Sequence, residues 1–232
     1  MHKSLLSASL FAVALAAPLA YAHEAGDILV RAGAITVNPK ADSSSVKVDQ
    51  GPLAGADLGG KATMSSDTQL GLNFAYMIDS HWGIELLAAS PFEHDVKIKG
   101  TALGAANGKL GTLKHLPPTL SVVYYPLDAK SVFQPYVGAG INYTWIYDEH
   151  VGSEAQANGF SNFKADNSWG MAFQVGADYM ITDNIMLNAQ VRYIDIDTTA
   201  TVENNAVAPG TRAKVDVDVD PFIYMVGLGY KF

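Results

Sequence analysis

The residues whose types and spacing could do chemistry are a few charged and amide side chains set into strictly alternating stretches. Glu85 lies in Trp82–Leu87, Gln174 and Asp178 in Ser168–Ile181, and Arg192 in Ile185–Tyr193. Each falls on the face opposite the large apolar residues of its stretch, so the four share one inward set. An arginine inside a narrow interior needs a counter-charge, and Glu85 or Asp178 can supply it. The expected chemistry is ion pairing across a lumen, with Arg192 as either a polar lining residue or part of a plug. Catalysis is not expected. His81, His94, His115 and His150 sit in different segments without metal spacing, and no Ser/His/acid set stands out, so no metal or cofactor is expected. Val215-Asp216-Val217-Asp218-Val219-Asp220 aims its aspartates outward if the register is counted from Phe232. Either they form an acidic rim with Asp195 and Asp197 above the hydrocarbon, or a bulge at Pro221 flips the face. A rim of this kind suits divalent cations among lipid headgroups, though a solvated charge run explains it as simply.

The elements that position these residues read as eight strands with a period of two. In the last one Phe222, Tyr224, Val226, Leu228, Tyr230 and Phe232 alternate with Ile223, Met225, Gly227, Gly229 and Lys231. Aromatics at both ends of an apolar band, and a terminal Phe, fit a strand crossing a bilayer better than one in a soluble sandwich. Asp27–Asn38, Gln69–Ile78, Trp82–Leu87, Leu116–Pro126, Phe133–Trp145, Ser168–Ile181 and Ile185–Tyr193 supply the other seven. Trp82, Trp145, Trp169, Tyr224, Tyr230 and Phe232 are expected to form aromatic belts at the membrane interfaces. The connections alternate long and short. Pro39–Ser66, Glu93–Thr112, Asp148–Asp166 and Thr198–Arg212 read as long loops, the third with room for a short helix, while Asp79-Ser80, Leu127–Val132 and Thr182–Asn184 are short turns. This predicts an all-β fold: an eight-stranded antiparallel transmembrane β-barrel with long extracellular loops and short periplasmic turns. Eight strands leave space inside only for side chains or one small ligand, which excludes a wide aqueous porin.

The ends and the composition agree. Lys3, an apolar run from Leu5 to Leu19 and Ala20-Tyr21-Ala22 have the layout of an export signal, so residues 1–22 are expected to be cleaved and 23–232 to form the barrel. The 232-residue chain has no cysteine, and a closed backbone ladder is then the expected source of its stability. Full-length it carries 15 Lys and Arg against 23 Asp and Glu, an acidic balance that argues against nucleic acid.

Proline cannot donate to a ladder, so in strands it marks edges or defects. Pro91 and the pair Pro117-Pro118 fall at similar heights on neighbouring strands. They mark either a lateral opening in the wall or simply the upper ends of two strands. Inside, the candidate channel lining is Met77, Glu85, Leu87, Tyr136, Asn142, Gln174, Asp178 and Arg192.

Several runs are similar to one family, the OmpW-type outer-membrane proteins with their OprG branch. They include His23–Asp27 with Val30–Gly33, Asp67–Leu72, Gly83–Ala89 ending in Pro91-Phe92, Leu116–Leu120, Gln134–Thr144, Asp195–Thr198 and Asp220–Phe232. The resemblance covers the whole mature chain. It implies a Gram-negative outer-membrane barrel with a narrow hydrophobic interior, proposed to pass small hydrophobic molecules and release them sideways into the bilayer. It also implies that Leu87 lines the channel. Arg192 stands where relatives often carry Trp, a departure that makes a purely hydrophobic substrate less secure and a small amphipathic one as fitting. Expected partners are outer-membrane lipids and lipopolysaccharide, small apolar solutes, and the barrel-assembly machinery through the C-terminal strand; the barrel is expected to be a monomer. A non-transporting surface receptor, adhesin or structural barrel, using Pro39–Ser66 and Asp148–Asp166, is the alternative.

Overall fold

The computed structural model describes residues 22–232, so the expected signal segment lies outside the described residues except for Ala22. The strands in chain order are β1 (Ile28–Asn38), β2 (Asp42–Ser43), β3 (Val46–Gln50), β4 (Asp57–Met64), β5 (Asp67–Met77), β6 (Trp82–Ala89), β7 (Phe92–Thr101) and β8 (Gly108–Leu116). There follow β9 (Thr119–Tyr124), β10 (Phe133–Val151), β11 (Phe160–Ala165), β12 (Ser168–Met180), β13 (Ile185–Ile194), β14 (Asp197–Asn204), β15 (Arg212–Asp218) and β16 (Phe222–Lys231). A 3-10 turn, Gly104–Ala106, and a helix α1, Ser153–Ala157, lie between strands; α1 falls in the stretch expected to hold a short helix.

Eight of these strands close a lower ring through antiparallel pairs only. β1 pairs β5, β5 pairs β6, β6 pairs β9, β9 pairs the first half of β10, β10 pairs β12, β12 pairs β13, β13 pairs β16, and β16 returns to β1. These are the eight strands read from the sequence, with the same inward and outward faces. The four segments expected to be loops are built differently. They form an upper tier in which the top of β10 pairs β8, followed in order by β7, β4, β3, β15, β14 and β11. Side chains tie β10 to β11 and to the link after it: Lys164 Nζ of β11 lies 3.5 Å from Glu149 Oε2, and Asn167 Oδ1, between β11 and β12, accepts from the Ile146 amide at 2.8 Å.

The tiers differ in which face is apolar, and this has one physical cause. The outward residues of the lower ring meet lipid, so Phe173, Val175, Val226 and Leu228 are more than half exposed while Asn73, Gln174 and Asn188 are buried. Above it the outside meets water, and the pattern inverts. In β7, Phe92, His94, Val96 and Ile98 point in, with Glu93, Lys97 and Lys99 outside. The aspartates of β15 follow the same logic: Val215, Val217 and Val219 are buried, Asp216 and Asp218 exposed, and the outward register runs unbroken through Asp220 to Phe222. No face flips at Pro221. The upper interior is one continuous apolar cluster, which includes Val96, Leu113, Ile146, Phe163, Ile196, Val215 and Val217.

Gly33 faces Gly227 across the β1–β16 pair, where backbones approach so closely that a Cβ on Gly33 would collide with the Val226 carbonyl. Gly33→Ala is therefore expected to cost about 1–3 kcal/mol, measurable by urea unfolding in lipid vesicles followed by tryptophan fluorescence.

Candidate functional site

Strand alternation carries the polar inward residues of β1, β5, β6, β12 and β13 into the same slice of the lower ring, where they form one bonded floor. Arg31, from β1, is fully buried. Its Nε and Nη2 donate to the two carboxylate oxygens of Asp178 at 2.9 and 2.6 Å, a two-point fork that suits guanidinium geometry. Arg31 Nη1 donates to Asn73 Oδ1 at 3.0 Å and Glu85 Oε2 at 3.3 Å, and Nη2 to Tyr125 OH at 2.7 Å. Its guanidinium also lies 5.5 Å from the centre of the Tyr136 ring. Arg192, from β13, donates from Nη2 to Glu85 Oε1 at 2.6 Å and from Nε to Gln174 Oε1 at 2.8 Å; Gln174 in turn donates to Glu85 Oε1. Asn188 Nδ2 donates to Asp178 Oδ1 and Tyr136 OH. Two arginines against two carboxylates make the floor neutral.

The expected lining thus divides by height. Glu85, Gln174, Asp178 and Arg192 meet in the floor. Met77 and Tyr136 pack in an apolar cluster with Leu29, Tyr125 and Met186, and Leu87 belongs to the upper apolar cluster. Asn142 hydrogen-bonds Thr119 Oγ1 and the Pro118 carbonyl. Of the two carboxylates considered for Arg192, Glu85 takes it and Asp178 takes Arg31. The partnership of Arg31 with Asp178, 147 positions away, needed the ring to close.

Above the floor the apolar interior opens upward. A small cavity of about 30 Å³ lined by Val37, Met64, Leu113, His115, Ile146 and Ile196 shares lining residues with a second of about 30 Å³, and that one with a cup of about 230 Å³ at the mouth. Leu53, Leu103 and Val207 are exposed around that cup.

The wall breaks at one height. β6 and β9 pair up to Leu87 opposite Thr119, and β7 and β8 resume at Phe92 opposite His115. Four residues, Ala88 to Pro91, therefore stand against three, Leu116 to Pro118, with no ladder pair between them among the described residues. On the far side the wall stays knit, since the Tyr143 amide donates to the Pro118 carbonyl at 3.1 Å. The expected aromatics lie on the outer face: Trp82 tilts against Tyr124, Tyr230 meets Phe232 edge-on, and Trp169 and Trp145 sit beside Tyr143 and Tyr147.

Just above the break two buried histidines touch, with Nε2 to Nε2 at 2.8 Å, stacked with each other and with Phe92. His94 Nδ1 lies 2.6 Å from the Ser65 carbonyl. The outward neighbours are Glu93, Asp95 and Lys114, so the pair stands outside the hydrocarbon. The four histidines showed no shared role in the sequence because the β7–β8 register, which brings together residues 21 apart, lay in a segment read as loop. Burial lowers both basicities, His115 to about 3 with the neighbouring His94 adding to it. A histidine with a depressed folded pKa contributes stability fully above the unfolded value of about 6.5 and loses it as the pH falls toward the folded value. Unfolding free energy is thus expected to drop between pH 6.5 and 5 by up to about 1.4 kcal/mol per pH unit for each histidine. His115→Phe should flatten that slope in urea titrations repeated at several pH values.

The family model described as the OmpW family matches residues 24–232. The chain belongs to the OmpW family. Outer membrane protein W of Vibrio cholerae is 42% identical over 232 residues, all of both chains. The crystal structure of OprG from Pseudomonas aeruginosa superposes with a TM-score of 0.84 at 47% identity, over 92% of this chain and 99% of that one. A dibenzothiophene metabolism operon protein, PahQ of Pseudomonas aeruginosa, is 29% identical over 75% of this chain and 76% of its own. The protein is an outer-membrane β-barrel of the Gram-negative type, and none of these relatives is named as an enzyme.

Proposed function

We propose that the barrel passes small apolar or singly polar solutes from the cell exterior into the outer leaflet, admitting them at the cup and releasing them sideways at the unpaired stretch. The observation that carries this reading is a coincidence of height. The apolar column ends at the level where Ala88–Pro91 and Leu116–Pro118 fail to pair, and a charged floor lies beneath it. A solute that has shed water in the column would have to break buried ion pairs to go straight down. Leaving sideways requires no such step. The relative named for dibenzothiophene metabolism supports an apolar cargo. In this reading the outer aromatics sit at the two membrane interfaces, residues 1–22 are the export signal, lipids and lipopolysaccharide surround a single barrel, and the last strand engages the assembly machinery. Vesicles carrying the refolded protein are expected to take up naphthalene faster than protein-free vesicles and glycine no faster. Equal rates for naphthalene with and without protein would defeat the proposal.

A further inference from the structure

Lysines gather on one outer face of the upper tier. Lys61 of β4, Lys97 and Lys99 of β7 and Lys109 of β8 are all exposed. The ladder sets them in opposed pairs, Lys61 across from Lys99 and Lys97 across from Lys109, and the neighbouring β3 and β15 repeat the arrangement with Lys47 across from Lys214. Like charges directly opposite destabilise a sheet, and a chain with 23 acids against 15 bases has acids to spare for those positions. The acids present on β4, β7 and β8 do not cancel the charge. Asp42 takes Lys61 at 2.9 Å and Asp95 takes Lys109 at 2.6 Å, whereas Lys97, with Thr63 on its other side, and Lys99 have no ion pair among the described residues. The height of the face is also defined. β7 and β8 start directly above the break, where Phe92 stands opposite His115. Lys97 is five residues past Phe92, which strand rise and tilt turn into about 10–15 Å. Trp145, opposite Leu116 at the level of the break, belongs to the aromatics read as the upper interface. The lysines therefore stand beside the headgroups rather than the acyl chains.

We propose that this face binds the phosphate groups of lipopolysaccharide in the outer leaflet, with Lys97 and Lys99 as its unpaired cations and Lys61 and Lys109 beside them. A lysine ammonium serves phosphate as a point charge, and each cation close to an anionic membrane surface strengthens attachment. Phosphates seated between the opposed pairs replace repulsion by attraction, which accounts for lysines facing lysines on an acidic protein. A lipid held there stands over the break, so its acyl chains border the stretch where Ala88–Pro91 and Leu116–Pro118 leave the ladder. The inference rests on the barrel lying among lipopolysaccharide, as in the reading above, and gives that partner its site. It does not depend on a solute passing through.

The test uses the full barrel, labelled with nitrogen-15 lysine, in phosphatidylcholine nanodiscs that carry a rising fraction of deep-rough lipopolysaccharide. The lipopolysaccharide is either intact or stripped of its phosphates by hydrofluoric acid. The intact form should move the amide resonances of Lys61, Lys97, Lys99 and Lys109 and leave in place that of Lys164, which lies on β11 beside Glu149. The stripped form should need roughly tenfold more to do the same. Lys97→Gln with Lys99→Gln should weaken binding roughly ten- to thirtyfold, and Lys164→Gln by no more than about twofold. In discs without lipopolysaccharide the double variant should unfold at a higher urea concentration than the unaltered protein, because the opposed charges are gone. That gain is opposite in sign to the loss of binding, so poor folding cannot produce both. Equal shifts with intact and stripped lipopolysaccharide, or still resonances at Lys97 and Lys99 while others move, would overturn the site. Soluble polyphosphate binding as tightly as the intact lipid would overturn its assignment to the membrane. Naphthalene uptake is measured in vesicles without lipopolysaccharide, so the transport reading stands or falls separately.

Discussion

Asp178→Ala is expected to lower the unfolding free energy by about 3–5 kcal/mol. Its carboxylate takes two donors from Arg31, one from Asn188, a 3.3 Å contact from Tyr125 OH, and lies 3.5 Å from His23 Nε2. Removing it leaves a fully buried guanidinium with only Glu85, Asn73 and Tyr125 to face. The cost comes from the stranded charge rather than from the lost contact, and this distinction is measurable. The double variant Arg31→Met with Asp178→Leu removes the pair together and should recover most of the loss, as apolar replacement of buried ion pairs often does. Urea unfolding in vesicles for Arg31→Met, Asp178→Leu and the double closes the cycle. An Asp178→Ala loss below about 1 kcal/mol would mean that water reaches the floor. Naphthalene uptake should survive in every variant that folds, because the proposed route leaves the lumen above this level.

The lower ring was legible in the sequence because lipid outside and polar groups inside impose opposite chemistries on alternate residues of every strand. Both faces of Phe133–Trp145 and Ser168–Ile181 could therefore be assigned without knowing a single contact. The upper tier obeys the same period with its sign reversed, and its strands are short and broken by register shifts, as between Val96 and Lys97 opposite Gly111 and Lys109. An eye set for apolar-out strands passes over Glu93–Lys99 as a charged loop. Pairings made by closure were out of reach for another reason: Arg31 with Asp178, and His94 with His115, are neighbours only through registers that span many residues. Asn73, Tyr125 and Asn188 were on inward faces in the sequence, yet nothing there ranked them above other inward residues. The prolines lay between these cases. Their type announced a defect, but only the ladder shows which neighbour each one faces.

That facing yields a sharp expectation for the wall. In a strand, the amide and carbonyl of one residue point to the same side. The Tyr143 amide bonds the Pro118 carbonyl, so Pro118 faces β10 and Pro117 faces the break, where the Thr119 hydroxyl takes its carbonyl at 3.1 Å. The Ser90 amide bonds the Leu70 carbonyl on the β5 side, so Pro91 also faces the break. Pro91→Ala with Pro117→Ala therefore restores two donors across the break, whereas Pro118→Ala restores one toward a seam that is already knit. Each new ladder bond adds about 1 kcal/mol to any opening of the wall, so the double variant should slow naphthalene uptake by roughly tenfold or more. Pro118→Ala should leave it near the unaltered rate. The four-against-three mismatch limits how far the break can close, because β5 and β6 hold Gly71 opposite Ala89 while β10 and β8 hold Trp145 opposite Leu116. Pro91→Ala alone should accordingly have the smaller effect. If the double variant folds, gains protection of its new amides from hydrogen exchange, and still passes naphthalene at the original rate, the solute leaves by another path.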